Sequence, residues 1–188
     1  YTDDVVKAIK KIPNEKLIVL DNIKVGMEGE IAQIYQDFEN DIYEALKSGY
    51  EKISKYKKIM LIYPDKAIYP YPRRILHGFR KFCVEKSIDF EILDIVYEDM
   101  ILKEGDLFIV IEESDLVSLV KQIREDEFVL GRDIGVISYN ETPLKELLGI
   151  TVVSTDFKVM GETAANMILN KEKGIVKVPF NFIDRNSV

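Results

Sequence analysis

Glu112, Glu113 and Asp115 fall at the end of an apolar run, Leu107 to Ile111, and carboxylates grouped in this way have two chemical uses. Close like charges push one pKa upward and make an acid/base pair. Ionised carboxylates also accept hydrogen bonds from the hydroxyls of a neutral polyol. A structural role stands beside both, because acidic residues at a helix start are favoured by capping and by the helix dipole. Arg73 and Arg74 open a helix behind a Pro-rich loop, and a guanidinium there can donate to two adjacent hydroxyls or to a carboxylate. One of the two is expected to face a cleft and the other solvent, and the sequence leaves open which. Tyr97, Phe157, Tyr69 and Tyr71 lie just after strands or at crossings, where an aromatic face can cover the apolar side of a sugar ring, although each also suits a core. Arginine, acceptors and aromatics together at strand ends point to binding of a carbohydrate.

Other chemistries lack their residues. His77 is the only histidine and Cys83 the only cysteine, so neither a zinc set nor an internal disulfide can be built, and no metal or other cofactor is expected. His77 is expected as a surface histidine. Cys83 shares a helical face with Ile75, Phe79 and Phe82 and is expected as a buried core thiol, in keeping with a reducing, cytoplasmic compartment. No G-x-S-x-G, G-x-G-x-x-G or G-x-x-x-x-G-K-[ST] pattern occurs, and no enzymatic activity is expected. A net charge of −7 argues against nucleic-acid binding by this chain itself. The dense basic run of Lys52, Lys55, Lys57 and Lys58 is expected to be a solvated helix end.

Length and pattern bound what positions these residues. The 188 residues, 47% apolar and 31% charged, have the balance of a folded globular chain of one large domain or two small lobes. No run approaches about 18 consecutive apolar residues and no signal-peptide pattern is present, so no membrane partner is expected. The chain opens on Tyr1 and enters a helix at once, with Val5, Val6, Ile9 and Ile12 in helical spacing, so an upstream part is expected.

Short, β-branched runs recur at 17–20, 59–63, 90–96, 107–111, 134–138, 151–154 and 178–183. Their nearly continuous apolar character suits a parallel sheet covered on both faces. Helical spacing lies between them: Ile42, Leu46 and Ile53; Leu116, Leu119, Val120 and Ile123; Met160, Ala164, Met167 and Ile168. Pro70 and Pro72, Ser114 and Asp156 stand as helix-start residues. Strand alternating with helix predicts a doubly wound α/β architecture. Polar, turn-rich crossings at 63–66 and 138–143 fit a chain that passes between two lobes more than once.

The segment from Leu107 to Ile168 resembles the effector-binding domain of the lactose-repressor and galactose-repressor family, of the periplasmic-binding-protein-like type I fold. The likeness is carried by VISYNETPL (136–144), TVVSTDF (151–157), MGETAANMIL (160–169) and VPFNFIDRNS (178–187), whose Arg-x-Ser closes the frame. LIVLDN (17–22), YQDF around Asp37 and RRILHGF (73–79) follow the same order upstream. The resemblance implies two lobes, each a parallel sheet flanked by helices: 1–63 with 157–173, incomplete, and 64–156 with 174–188.

By position, the resemblance implies ligand contacts at Asn140, where the family usually has Asp, at Tyr97 as the ring-stacking aromatic, at Phe157, at Glu112 and at Asp37. The family's cleft arginine falls at Ile75, so Arg74 is one position off and Arg73 two. The implied function is the sensor of a bacterial transcriptional regulator, binding a small carbohydrate, a monosaccharide, in the cleft between the lobes. Closure is relayed to a dimer partner and to a separate DNA-binding head of LacI or GntR type. A solute-binding protein of a sugar uptake system shares the fold and is the alternative; a sugar-modifying enzyme using Glu112, Glu113 and Asp115 is a third reading.

Overall fold

The computed structural model describes residues 7, 9, 11–21, 31–68 and 70–188. In chain order the strands are β1 (Ile18–Asp21), β2 (Ala32–Tyr35), β3 (Lys58–Ile62), β4 (Asp89–Leu93), β5 (Asp106–Val110), β6 (Gly135–Tyr139), β7 (Thr151–Thr155), β8 (Gly174–Lys177) and β9 (Phe180–Ile183). The helices are α1 (Phe38–Ser48), α2 (Tyr50–Ile53), α3 (Arg74–Glu85), α4 (Glu113–Glu125), α5 (Pro143–Leu147) and α6 (Phe157–Leu169). They divide into two compact units: the described residues of Tyr1–Asp37 with Asp156–Pro179, and Phe38–Thr155 with Phe180–Val188.

The larger unit is built on a six-stranded sheet of order β4-β3-β5-β6-β7-β9, parallel except at β9, which runs antiparallel to β7. Alternate residues of its apolar strands enter two separate cores, as the two-residue strand period requires. Ile59, Leu61, Leu107, Ile109, Ile137 and Val153 pack with α1 and α3 through Ile42, Leu46, Ile75, Phe79 and Phe82. Met60, Ile62, Phe108, Val110, Val136 and Val152 pack on the opposite face with Leu116, Leu119 and Ile123 of α4. β5, β6 and β7 are buried throughout, which is why they read as unbroken apolar runs. Cys83 is buried in the first of these cores, as its helical face predicts.

Local contacts and caps fix the helices. Gly78 sits where α3 crosses α1: a Cβ there would lie 2.0 Å from the Glu39 carbonyl oxygen and 2.5 Å from Ile42 Cγ2. Arg73, not a proline, is the N-cap of α3 and its side chain makes no cap bond. Asp156 does cap α6, its carboxylate accepting from Val159 N at 2.9 Å. Ser114 lies inside α4, whose N-cap is Glu112. The single helix expected through Ile42, Leu46 and Ile53 is interrupted at Gly49 between α1 and α2.

The smaller unit is a parallel sheet of order β1-β2-β8, with Ala32 and Ile34 of β2 packed against Met160 and Met167 of α6 and against Val178. The expected helix over Val5 and Val6, together with Asn22 and Tyr69, lies outside the described residues.

The lobe boundaries differ from those expected. Residues 38–63 belong to the larger unit, because β3 pairs with β4 and β5 and α1 packs on α3. Residues 174–179 belong to the smaller one, because β8 pairs with β2. The apolar run 178–183 is split, Val178 facing the smaller core and β9 pairing with β7. Among the described residues no helix is long and apolar enough to cross a membrane.

Candidate functional site

In open α/β sheets ligands bind outside the carboxyl ends of the strands. In the larger unit that edge carries Tyr63 after β3, Asp94 after β4, Glu112 beyond β5 and Asn140 after β6. Asn140 leaves the strand at φ 60°, a left-handed conformation that asparagine tolerates better than most side chains. The turn is held from every side. Asn140 N–H donates to Val153 O at 2.8 Å and Glu141 N–H to Ser154 Oγ at 2.9 Å. The carbonyls of Tyr139 and Asn140 accept from Lys145 Nζ at 2.8 and 3.0 Å. Glu141 is anchored in turn by Arg185, whose Nη2 lies 2.5 Å from Glu141 Oε2 and whose Nη1 donates to Ile150 O at 2.8 Å. The Asn140 side-chain amide, half-buried, makes no hydrogen bond among the described residues.

The three neighbouring carboxylates have three different partners. Tyr71 OH donates to Glu112 Oε1 at 2.9 Å, and Tyr63 OH donates to Tyr71 O at 2.6 Å, tying the loop before α3 to the exit of β5. Burial, reinforced by the bond to Glu112, pushes the Tyr71 hydroxyl up to about 12, so it stays a neutral donor. Although Glu112 is the N-cap of α4, its side chain caps nothing. Asp115 is buried and accepts Val96 N–H at 2.9 Å, a structural bond, and burial raises its carboxyl above the usual range. Glu113 is exposed and accepts from Thr142 Oγ1 at 3.4 Å.

Arg73 and Arg74 diverge. Arg73 Nη2 lies 3.3 Å from Asp65 Oδ1 and lines an open groove of about 450 Å³ with Tyr63, Asp94 and Arg80. Arg74 Nε lies 3.7 Å from Glu39 Oε2 of α1, and His77, exposed as expected, lies 3.9 Å from the same oxygen. Tyr97, about half exposed, donates its hydroxyl to Asp94 Oδ1 at 2.7 Å. That bond holds the Asp94 carboxyl below its ordinary range and the Tyr97 hydroxyl above its own.

The strand exits of the larger unit thus hold Arg73, Arg74, Tyr97, Glu112 and Asn140. Asp37 and Phe157 belong to the smaller unit: Asp37 is half-buried beside Gln36, whose amide donates to the Asp21 carboxylate, and Phe157 opens α6 with its ring about half exposed. The lysine run is dispersed over separate partners, Lys52 on Asp184 at 3.1 Å, Lys55 on Gly131 O at 2.8 Å and Lys58 on Glu91 at 2.7 Å.

Sequence reasoning passed over Lys145, Arg185 and Ser187. Lys145 lies between Leu144 and Glu146 in a five-residue helix too short for periodicity to place it. The closing Arg-x-Ser was the available signal for the other two. Ser187 Oγ donates to Val136 O at 2.6 Å and accepts Thr151 N–H at 2.7 Å, stitching the chain end to β6 and β7 beside the site. Burial holds the Lys145 ammonium below the usual lysine range, with Glu113 and Glu141 acting in the opposite sense.

Residues 53–188 match the model of the periplasmic binding protein-like domain. No curated protein matches the chain. Among solved structures, a LacI-family transcriptional regulator of Enterococcus faecium with bound ribose is 18% identical, with TM-score 0.73, over 100% of this chain and 75% of that one. A periplasmic binding protein/LacI transcriptional regulator of Alkaliphilus metalliredigens complexed with D-xylulofuranose is 16% identical, with TM-score 0.64, over 91% of this chain and 70% of that one. A dimeric Lac repressor is 16% identical, with TM-score 0.70, over 98% and 73%. At these identities the likeness is one of fold, and with the family match over most of the sequence it places the chain: it belongs to the periplasmic-binding-protein-like domain family.

Proposed function

We propose that the chain is the effector-sensing part of a bacterial transcriptional regulator and binds a small carbohydrate, a monosaccharide, at the strand exits of its larger unit. The observation that carries this reading is the Asn140 amide, left without a partner among the described residues on a backbone whose neighbouring groups are engaged. An amide offers both donors and an acceptor to sugar hydroxyls. Glu112, with one oxygen fixed by Tyr71, supplies a second acceptor, and Tyr97 an aromatic face. Arg73, in a groove with Tyr63 and Asp94 of the same strand edge, is the arginine we assign to the ligand in preference to Arg74, which lies against Glu39 of α1. The sugars named with two of the solved structures, ribose and D-xylulofuranose, support the class of ligand. DNA contact falls to a separate head, and the exposed Leu144, Leu147 and Leu148 around α5 are where we place a second copy of the chain.

A thermal-shift screen of pentoses, hexoses and deoxyhexoses tests the reading, since a ligand at a hundred times its Kd stabilises the native state by about 2.7 kcal/mol. The expected outcome is a rise in Tm with at least one sugar; no shift with any of them contradicts the proposal.

A further inference from the structure

The side chain of Lys145 is 3% exposed, while Leu144 and Leu147 on the same short helix are exposed. α5 therefore leaves Glu146 in solvent but buries its lysine and turns its leucines outward, against the pattern of an ordinary amphipathic helix. Burying an ammonium costs several kcal/mol unless its protons are bonded, and a well-packed apolar side chain in such a place is often neutral or stabilising. The bonds this ammonium makes indicate why the fold carries that cost. They go to the carbonyls of Tyr139 and Asn140, one on each side of the residue that enters the left-handed region.

We infer that Lys145 is a positioning residue for Asn140: its ammonium fixes the peptide planes on both sides of Asn140, so that the side-chain amide meets the ligand already oriented. The inference rests on the carbohydrate site proposed above. Val153 O and Ser154 Oγ hold the N–H groups of Asn140 and Glu141 from the β7 side, and Lys145 holds the carbonyls from the α5 side. Without it, a non-glycine residue at positive φ is secured from β7 alone. Fixing the contact in advance removes an ordering cost from binding.

In the full chain, Lys145→Met keeps the stem and removes the donors. Amide hydrogen exchange at Asn140 and Glu141 is expected to speed by at least about tenfold while amides of central β5 such as Ile109 hold their rates. Calorimetric affinity for D-ribose is expected to fall by at least about tenfold, and Lys145→Arg, which keeps donors for both carbonyls, to stay within about threefold of the original. Asn140→Ala combined with Lys145→Met is expected to bind no more weakly than Asn140→Ala alone. Unchanged exchange at Asn140 in Lys145→Met overturns the inference, as does a fully additive loss of affinity in the double variant. Should Lys145→Met fail to fold, Lys145→Gln is read in its place by the same criteria. Should the unsubstituted chain not bind D-ribose, the exchange comparison still decides the role of Lys145, and it is ribose as the ligand that has failed.

Discussion

At the residue scale, Asn140 differs from the groups around it by what it leaves unbonded. Glu112, Asp115, Tyr97 and Arg73 each have a protein partner, whereas the amide of Asn140 has none among the described residues. Part of this was legible from residue type and spacing. A helical face shared with Phe79 and Phe82 marked Cys83 as core, whereas Asn140 was marked by the resemblance to the repressor family. What spacing does not carry is which oxygen meets which hydrogen: the three clustered carboxylates turn to three unrelated partners, and Lys145 is hidden in five residues of helix. The Cys83 thiol offers a check on the residue-scale account. Burial pushes it up to about 12, so it is protonated at any working pH and shielded besides. Alkylation by iodoacetamide at mild alkaline pH is expected to be at least about a hundredfold slower in the native chain than in urea. Equal rates would show that α3 does not pack as described.

At the element scale, β3, β5, β6 and β7 were legible to within a residue, because they are buried on both faces and so read as continuous apolar runs, whereas the run expected at 90–96 ends as a strand at Leu93. The polar-interrupted β2 and the exposed β8 have no such signature and went unread. Neither does an apolar run reveal which sheet it joins, which is why residues 38–63 were expected in the other lobe. Close helix contacts leave a fainter mark still, a glycine inside a helix. The approach of α1 to α3 at Gly78 predicts that Gly78→Ala destabilises by about 1–3 kcal/mol despite the better helix propensity of alanine. Urea unfolding measures it: the midpoint falls with the slope unchanged. A stabilised Gly78→Ala chain would mean that the two helices are not in contact at that point.

At the scale of the whole molecule, charge bears on partners more than on fold. Double-stranded DNA is held largely through phosphates neutralised by lysine and arginine, and this chain carries 33 acidic against 26 basic residues. By itself it is therefore expected to show no binding to duplex DNA at physiological salt by fluorescence anisotropy, as the proposed sensor role, with DNA contact in a separate head, requires. Tight, salt-sensitive binding by this chain alone would contradict that division of labour. The two-unit organisation was legible as a class, from alternating strands and helices and repeated polar crossings, while the points of exchange near residues 37, 155 and 179 were set by strand pairing.

The central claim, that the strand exits around Asn140 bind a small carbohydrate, is tested most directly by calorimetric titration of the chain and of Asn140→Ala with D-ribose, and with the sugar giving the largest thermal shift. The account predicts saturable binding by the unsubstituted chain, weakened in Asn140→Ala by at least about tenfold, roughly 1.4 kcal/mol, with the fold intact by circular dichroism. Equal affinity of the two proteins for the same sugar would contradict it.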